Sequence, residues 1–265
     1  MRWKNIWRES RGRLISSFVA LWLLVMMLSG CRDHKRVSLT ISAAASLQDA
    51  LAEVESAFQA GHATVDFRNN FGSSGTLARE IEQGAPVDVF LSAASKPMND
   101  LEAKGLIAGG TRQNLLRNSL VLIAPLDSKL QGFAGLGDGA TRLIAVGDPA
   151  SVPAGQYAQQ TLTALRLNDQ IKGKLVLGKD VRQVLTYVET GNADAGLVYA
   201  TDAQTSGRVR AVAVAPESSH DPIVYPAAVV KTSGNQESAS RFVEFLDSPE
   251  ARAIFTKRGF TLASQ

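Results

Sequence analysis

The sequence predicts an α/β protein built as two lobes, and three observations lead there. From Val37 onward, runs with apolar residues at alternate positions take turns with stretches whose apolar residues recur three and four apart. The connections between them are short, which calls for mainly parallel sheets flanked by helices. Nine strand-like runs between Val37 and Val230 are also many for one compact sheet, so two are expected.

The strand-like runs are 37–42, 64–69, 88–92, 119–124, 142–146, 174–177, 195–199, 209–214 and 223–230. The first alternates Val37, Leu39 and Ile41 with polar neighbours, and ends in three alanines and a serine. Helical spacing then begins at Leu47, with Leu51 and Val54 on one face, and gives a helix over 47–60. Ser46 with Asp49 three residues on has the pattern of an N-cap and capping box. Further helices are expected over 76–83, 97–104, 153–165, 181–189, 236–246 and 249–257. Pro153 suits a first helical position, where a missing N–H costs nothing. Asp180 suits the cap before Val181, and Asp148 is read likewise as a turn cap. The runs 119–125 and 221–230 are read as the segments that pass between the lobes.

The N-terminus differs from the rest. Arg2, Lys4, Arg8, Arg11 and Arg13 precede an apolar run over 14–28, followed by Leu28-Ser29-Gly30-Cys31. A basic start, a short apolar run and small residues describe an export signal. The run falls short of the roughly 20 residues that span a bilayer. Leu-Ser-Gly-Cys resembles a bacterial lipobox, which makes Cys31 a lipidation site and 1–30 a lipoprotein signal peptide. An uncleaved anchor and plain soluble export are the alternatives. Residues 1–30 carry five basic residues and one acidic, so the remainder holds 23 basic and 24 acidic. The basic balance belongs to the leader, and no nucleic-acid footprint is left. With Cys31 lipidated, no thiol remains for disulfides or catalysis, and His34, His62 and His220 stand singly without a metal-ligand partner.

Five strand-to-helix corners draw attention. They are Ser46, the turn Gly72-Ser73-Ser74-Gly75, Ala154 after Pro153, Val181 after Asp180, and Tyr199 at the end of an apolar strand. Each has an ordinary reading: serines cap helices and a tyrosine packs. Together they offer hydroxyls and free helix-start amides without lysine, arginine or metal ligands. That suits a small oxyanion stripped of water and held by hydrogen bonds alone.

The motifs "AAASLQDAL", "FGSSGTLARE", "GAPVDVFLSA", "NSLVLIAP", "AVGDPASVPAGQYA", "KDVRQVL" and "LVYATDA" occur in the order seen in periplasmic molybdate-binding proteins. The chain resembles that family, the substrate-binding components of molybdate ABC transporters, from about Val37 to "FTKRGFTLA". The resemblance implies a periplasmic-binding-protein fold with the ligand in the cleft between lobes. It implies lobe one over 36–119 plus 225–265, and lobe two over 120–224. It implies molybdate, with tungstate, held by the Ser46 and Ser74 hydroxyls, the amides of Ala154 and Val181, and Tyr199. Molybdenum is then bound only as the oxyanion. Gly72 and Gly75 depart from the family's more usual small or hydroxyl residues, and a further hydroxyl contact at position 75 is lost.

The expected function is an exported, lipid-anchored solute-binding protein. It acts as a monomer without cofactor or catalysis and hands molybdate to a membrane permease. A receptor for sulfate or another tetrahedral oxyanion is the alternative. A serine hydrolase is the reading from another class, but it needs a base oriented beside Ser46 or Ser74.

Overall fold

The computed structural model describes residues 36–263, so the expected leader over 1–30 and the lipidation site Cys31 lie outside the described residues. Strand β1 (Val37–Ala44) places Leu39 and Ile41 fully inside, and its last four residues are all buried. A 3-10 turn (Ala45–Leu47) leads into α1 (Gln48–Gly61), whose Leu51, Val54 and Phe58 pack inward. Next come β2 (Val65–Gly72), α2 (Ser74–Glu82), β3 (Val89–Leu91), α3 (Ser95–Ala103) and β4 (Gln113–Arg117). The chain then forms β5 (Leu120–Pro125), β6 (Ile144–Gly147), α4 (Pro153–Ala164), β7 (Leu175–Gly178) and α5 (Val181–Glu189). It continues through β8 (Ala195–Tyr199), α6 (Ala200–Gln204), β9 (Val209–Val214), β10 (Val224–Val229), α7 (Gln236–Phe245), α8 (Pro249–Lys257) and β11 (Thr261–Leu262).

Two sheets result, in the strand orders β11-β4-β10-β3-β1-β2 and β7-β6-β8-β5-β9. Both are mixed, where mainly parallel sheets were expected. β1 is parallel to β2 and β3, and β6 to β7 and β8, but β10, β4 and β11 pair antiparallel, as does β5 with β8 and β9. The antiparallel pairings centre on β5 and β10, the first strand after each passage between the sheets. Neither reaches its neighbours through a strand–helix–strand unit, so the topology that enforces parallel pairing is missing there.

The chain leaves the first sheet at Asn118–Ser119 and returns through residues 215–223. The passages therefore lie at the starts of the two runs expected to cross, and the runs themselves are sheet strands. In β10 the register shifts between Tyr225 and Pro226, because proline has no N–H for the ladder. Under the first sheet, Phe58 makes edge contacts with Phe67, Phe242 and Phe245, at ring centroids 5.9, 5.2 and 5.3 Å away.

Candidate functional site

Where the two sheets face each other, Ala44, Ala45, Ser46, Gly72, Ser73, Ser74, Ala93, Val152, Pro153 and Val181 line a narrow cleft with a cavity volume of about 10 Å³. None of these residues carries a charge. The N-termini of α2, α4 and α5 all open onto it, which brings three helix starts and three positive dipole ends to one place. An open groove of about 830 Å³ is larger, but Asp127, Lys129, Asp138 and Asp194 line it and no α-helix begins there.

Each corner has a local cause. Ser73 is the cap of α2, its hydroxyl accepting from the Thr76 amide at 3.4 Å, so the helix starts two residues before the expected Thr76. That leaves Ser74, which is fully buried, to accept from the Ala93 amide at 2.9 Å. Its hydroxyl proton stays uncommitted, since a hydroxyl accepts and donates independently. In α4, Pro153 takes the first helical position as expected. The Gly155 position that follows is pressed against β6, and a Cβ there would stand 2.0 Å from the Gly147 carbonyl oxygen. This tight approach gives "VGDPASVPAG" its glycines. Asp180 caps α5 by accepting from the Gln183 amide at 2.8 Å, and Asp148 accepts from the Ala150 amide at 3.0 Å. Both carboxylates thus serve backbone turns.

Ser46 departs from expectation. It lies inside the 3-10 turn, α1 is preceded by Leu47 without a side-chain cap, and Asp49 closes no capping box. Its hydroxyl is instead 3.0 Å from that of Tyr225, a tertiary partner 179 residues away. Asp49 turns outward to Arg182 at 2.6 Å, a contact between the two lobes' helices α1 and α5.

Of the sequence-identified residues, Ser46, Ser74 and Val181 line the cleft directly. Ala154 stands one residue behind the lining Pro153, at the amide-rich start of α4. Tyr199 ends β8 as expected but reaches the site through a lining residue, its hydroxyl donating to the Ala93 carbonyl at 3.4 Å. Burial, with Tyr225 beside it, pushes the Tyr199 phenol well above the ordinary tyrosine value, and burial does the same to Tyr225. Both therefore keep their protons and remain donors.

Sequence reasoning missed several groups. Ala93 joins Ser74 to Tyr199 through its amide and carbonyl. Gly75 donates its amide to the Ser151 carbonyl at 3.0 Å, bridging the two sheets. Asp202 is fully buried with Arg182 Nε at 2.7 Å, an ion contact not aligned as a hydrogen bond. Burial raises its carboxyl to about 7 against the opposing pull of Arg182. No local pattern marks these residues, because each acts through a partner distant in sequence.

The chain matches the family described as bacterial extracellular solute-binding protein over residues 39–261. It is similar to a protein of Bacillus subtilis (strain 168) that carries the provisional name ABC transporter substrate-binding lipoprotein YvgL, at 44% identity over 93% of this chain and 97% of that one. It is similar to the molybdate-binding protein ModA of Haemophilus influenzae, at 42% identity over 84% of this chain and 89% of the relative. Among solved structures, the periplasmic molybdate-binding protein of Azotobacter vinelandii superposes with a TM-score of 0.77 at 26% identity, covering 85% of this chain and all of that one.

Proposed function

The chain belongs to the bacterial extracellular solute-binding proteins, and we propose that it captures molybdate, and tungstate with it, for delivery to the membrane permease of an ABC transporter. The observation that carries this reading is the neutral cleft onto which three helix N-termini and two serine hydroxyls converge. A cleft lined by donors and free of charged side chains favours an anion that accepts at every oxygen. Ser46 and Ser74 donate their hydroxyl protons, the amides of Ala154 and Val181 donate from the helix starts, and the Tyr199 phenol joins them by turning its single proton from the Ala93 carbonyl to the ligand. Hydrogen bonds to a charged partner contribute roughly 1.5–3 kcal/mol each. Five of them, set against desolvation and closure, fit micromolar to nanomolar binding, about −8 to −12 kcal/mol.

In this reading the lobes are 36–119 with 225–265, and 120–224, and they hinge at the two passages between sheets. Cys31 carries a lipid that tethers the monomer on the periplasmic side of a bacterial membrane. The protein delivers its ligand unchanged. The hydrogen bonds of the two serine hydroxyls run to a tyrosine hydroxyl and a backbone amide rather than to an imidazole base, which weighs against hydrolysis.

Thermal melting of the protein with millimolar molybdate, tungstate, sulfate or phosphate tests the assignment. A ligand a thousandfold above its Kd adds about 4 kcal/mol to stability. Molybdate and tungstate are expected to raise the melting temperature well beyond the other two. A shift with sulfate and none with molybdate would reassign the substrate.

A further inference from the structure

The Ser46 hydroxyl is the end of a hydrogen-bond chain whose direction is set elsewhere. Asn118, in the first passage between the sheets, holds its side-chain carbonyl on the Ser119 amide at 2.9 Å. That contact fixes which way the amide faces, since the reverse would set two N–H groups against each other. Its NH₂ then donates to the Thr201 hydroxyl at 2.8 Å and the Tyr225 hydroxyl at 3.2 Å. Tyr225 Oη thus accepts from Asn118 and lies 3.0 Å from Ser46 Oγ, a contact in which either hydroxyl can donate. With Asn118 already on one Tyr225 lone pair, the arrangement in which Tyr225 donates leaves the Ser46 proton for the cleft that Ser46 lines.

We propose that Asn118 and Tyr225 are positioning residues that set the polarity of the anion site, forcing Ser46 to act as a donor and thereby selecting fully deprotonated oxyanions over protonated ones. The Tyr225 ring sits at the register shift of β10, packed edge-on against Tyr199 and Phe260 at 5.7 and 5.4 Å, so its hydroxyl is held in place by the fold. Burial keeps that phenol protonated. The chain spans both passages between the sheets: Asn118 on the outgoing one, Tyr225 just after the return, and Thr201 in the second lobe. Cleft geometry and donor direction are therefore set together.

The inference rests on Ser46 being a ligand residue, and the variants are chosen to separate the two claims. Asn118→Asp replaces the NH₂ donor by an acceptor of nearly equal shape. The Tyr225 proton then turns toward the carboxylate, Tyr225 accepts from Ser46, and Ser46 presents lone pairs to the cleft. Tyr225→Phe leaves the Ser46 hydroxyl free to rotate and keeps the ring packing. The double variant carries the same added charge as Asn118→Asp but has no hydroxyl through which to turn Ser46.

The experiment measures Kd for molybdate and for phosphate near pH 7.5 by calorimetry in the wild type and the three variants. The ratio of the two cancels general losses of fold or charge. The molybdate preference is expected to be greatest in the wild type and intermediate in Tyr225→Phe and the double variant. In Asn118→Asp it should fall by about tenfold or more, the worth of one hydrogen bond to a charged partner. If Asn118→Asp does not fold, the comparison of Tyr225→Phe with wild type decides alone. An unchanged ratio in Tyr225→Phe overturns the proposal, as does an equal fall in Asn118→Asp and the double variant, which would make charge the cause. A wild type that binds neither molybdate nor tungstate fails earlier, and overturns the functional reading together with this one.

Discussion

The Gly75 amide donates to the Ser151 carbonyl at 3.0 Å, joining the start of α2 in one lobe to the turn before α4 in the other. Backbone meets backbone here, and a Cβ on Gly75 would stand 2.6 Å from that carbonyl oxygen. A side chain at position 75 would press on the Ser151 backbone, so glycine is the residue that lets the two segments meet here.

Gly75→Ala separates closure from folding. Alanine is the better helix former by about 1 kcal/mol, so the unliganded protein should melt at the same temperature or higher. Forcing an extra methyl into the contact costs about 1–3 kcal/mol, so the molybdate Kd should rise roughly five- to hundredfold. Calorimetry paired with a melting scan reads both, and unchanged affinity would mean that ligand is held without this contact.

The two serine corners should differ in a way that simple helix caps would not. Ser46→Ala and Ser74→Ala each remove a donor to a charged ligand and should weaken molybdate binding by roughly 1–3 kcal/mol. Ser74→Ala also strands the buried Ala93 amide, so it should lower the stability of the free protein as well. Urea unfolding without ligand, set beside titration, checks the split. Two variants with wild-type affinity would reduce both serines to structural roles.

Asp202 makes stability depend on pH. Its folded carboxyl titrates near 7, chiefly through burial, against about 3.9 in an unfolded chain. Between those values the folded state binds the extra proton, so this group's contribution is favourable at low pH and is lost as pH rises toward 7. Asp202→Asn should flatten that slope, and from pH 5 to 8 the wild type should lose on the order of 2 kcal/mol more than the variant. Parallel denaturation curves for the two proteins would contradict it.

The proposed lipidation of Cys31 is checked separately from ligand binding. Cys31→Ala should abolish detergent partitioning and leave molybdate affinity unchanged. A variant that partitions like wild type would remove the lipobox reading.

Much of the fold was legible because its elements are set by local pattern. The alternation Val37, Leu39, Ile41 made β1, Pro153 placed the start of α4, and Asp180 capped α5, each as expected. Strand β4 was missed because "QNLLR" is too short and half-exposed to show a period, and β11 is two residues long. Ser46 was read as a cap because Ser-x-x-Asp is a local pattern, and the fold overrode it with a partner from the far end of the chain. Tyr225 and Asn118 were hidden for the same reason: their roles exist only once β10 and the first passage lie side by side. The candidate ligand residues at the corners were visible, and the network behind them was not.

The central claim is that a neutral cleft offering only donors holds a fully deprotonated tetrahedral dianion. Near neutral pH phosphate keeps a proton on one oxygen for part of the time, and a buried donor facing donors is left unpaired. Asp148 and Asp180, on the turns that lead into α4 and α5, each turn one carboxylate oxygen to a backbone amide, of Ala150 and Gln183 respectively. Competition of radiolabelled molybdate by phosphate at pH 7 measures the difference directly. Molybdate is expected to win by at least about a hundredfold, roughly 2.7 kcal/mol. Displacement at comparable concentrations would mean that an acceptor lines the cleft, and would contradict the account.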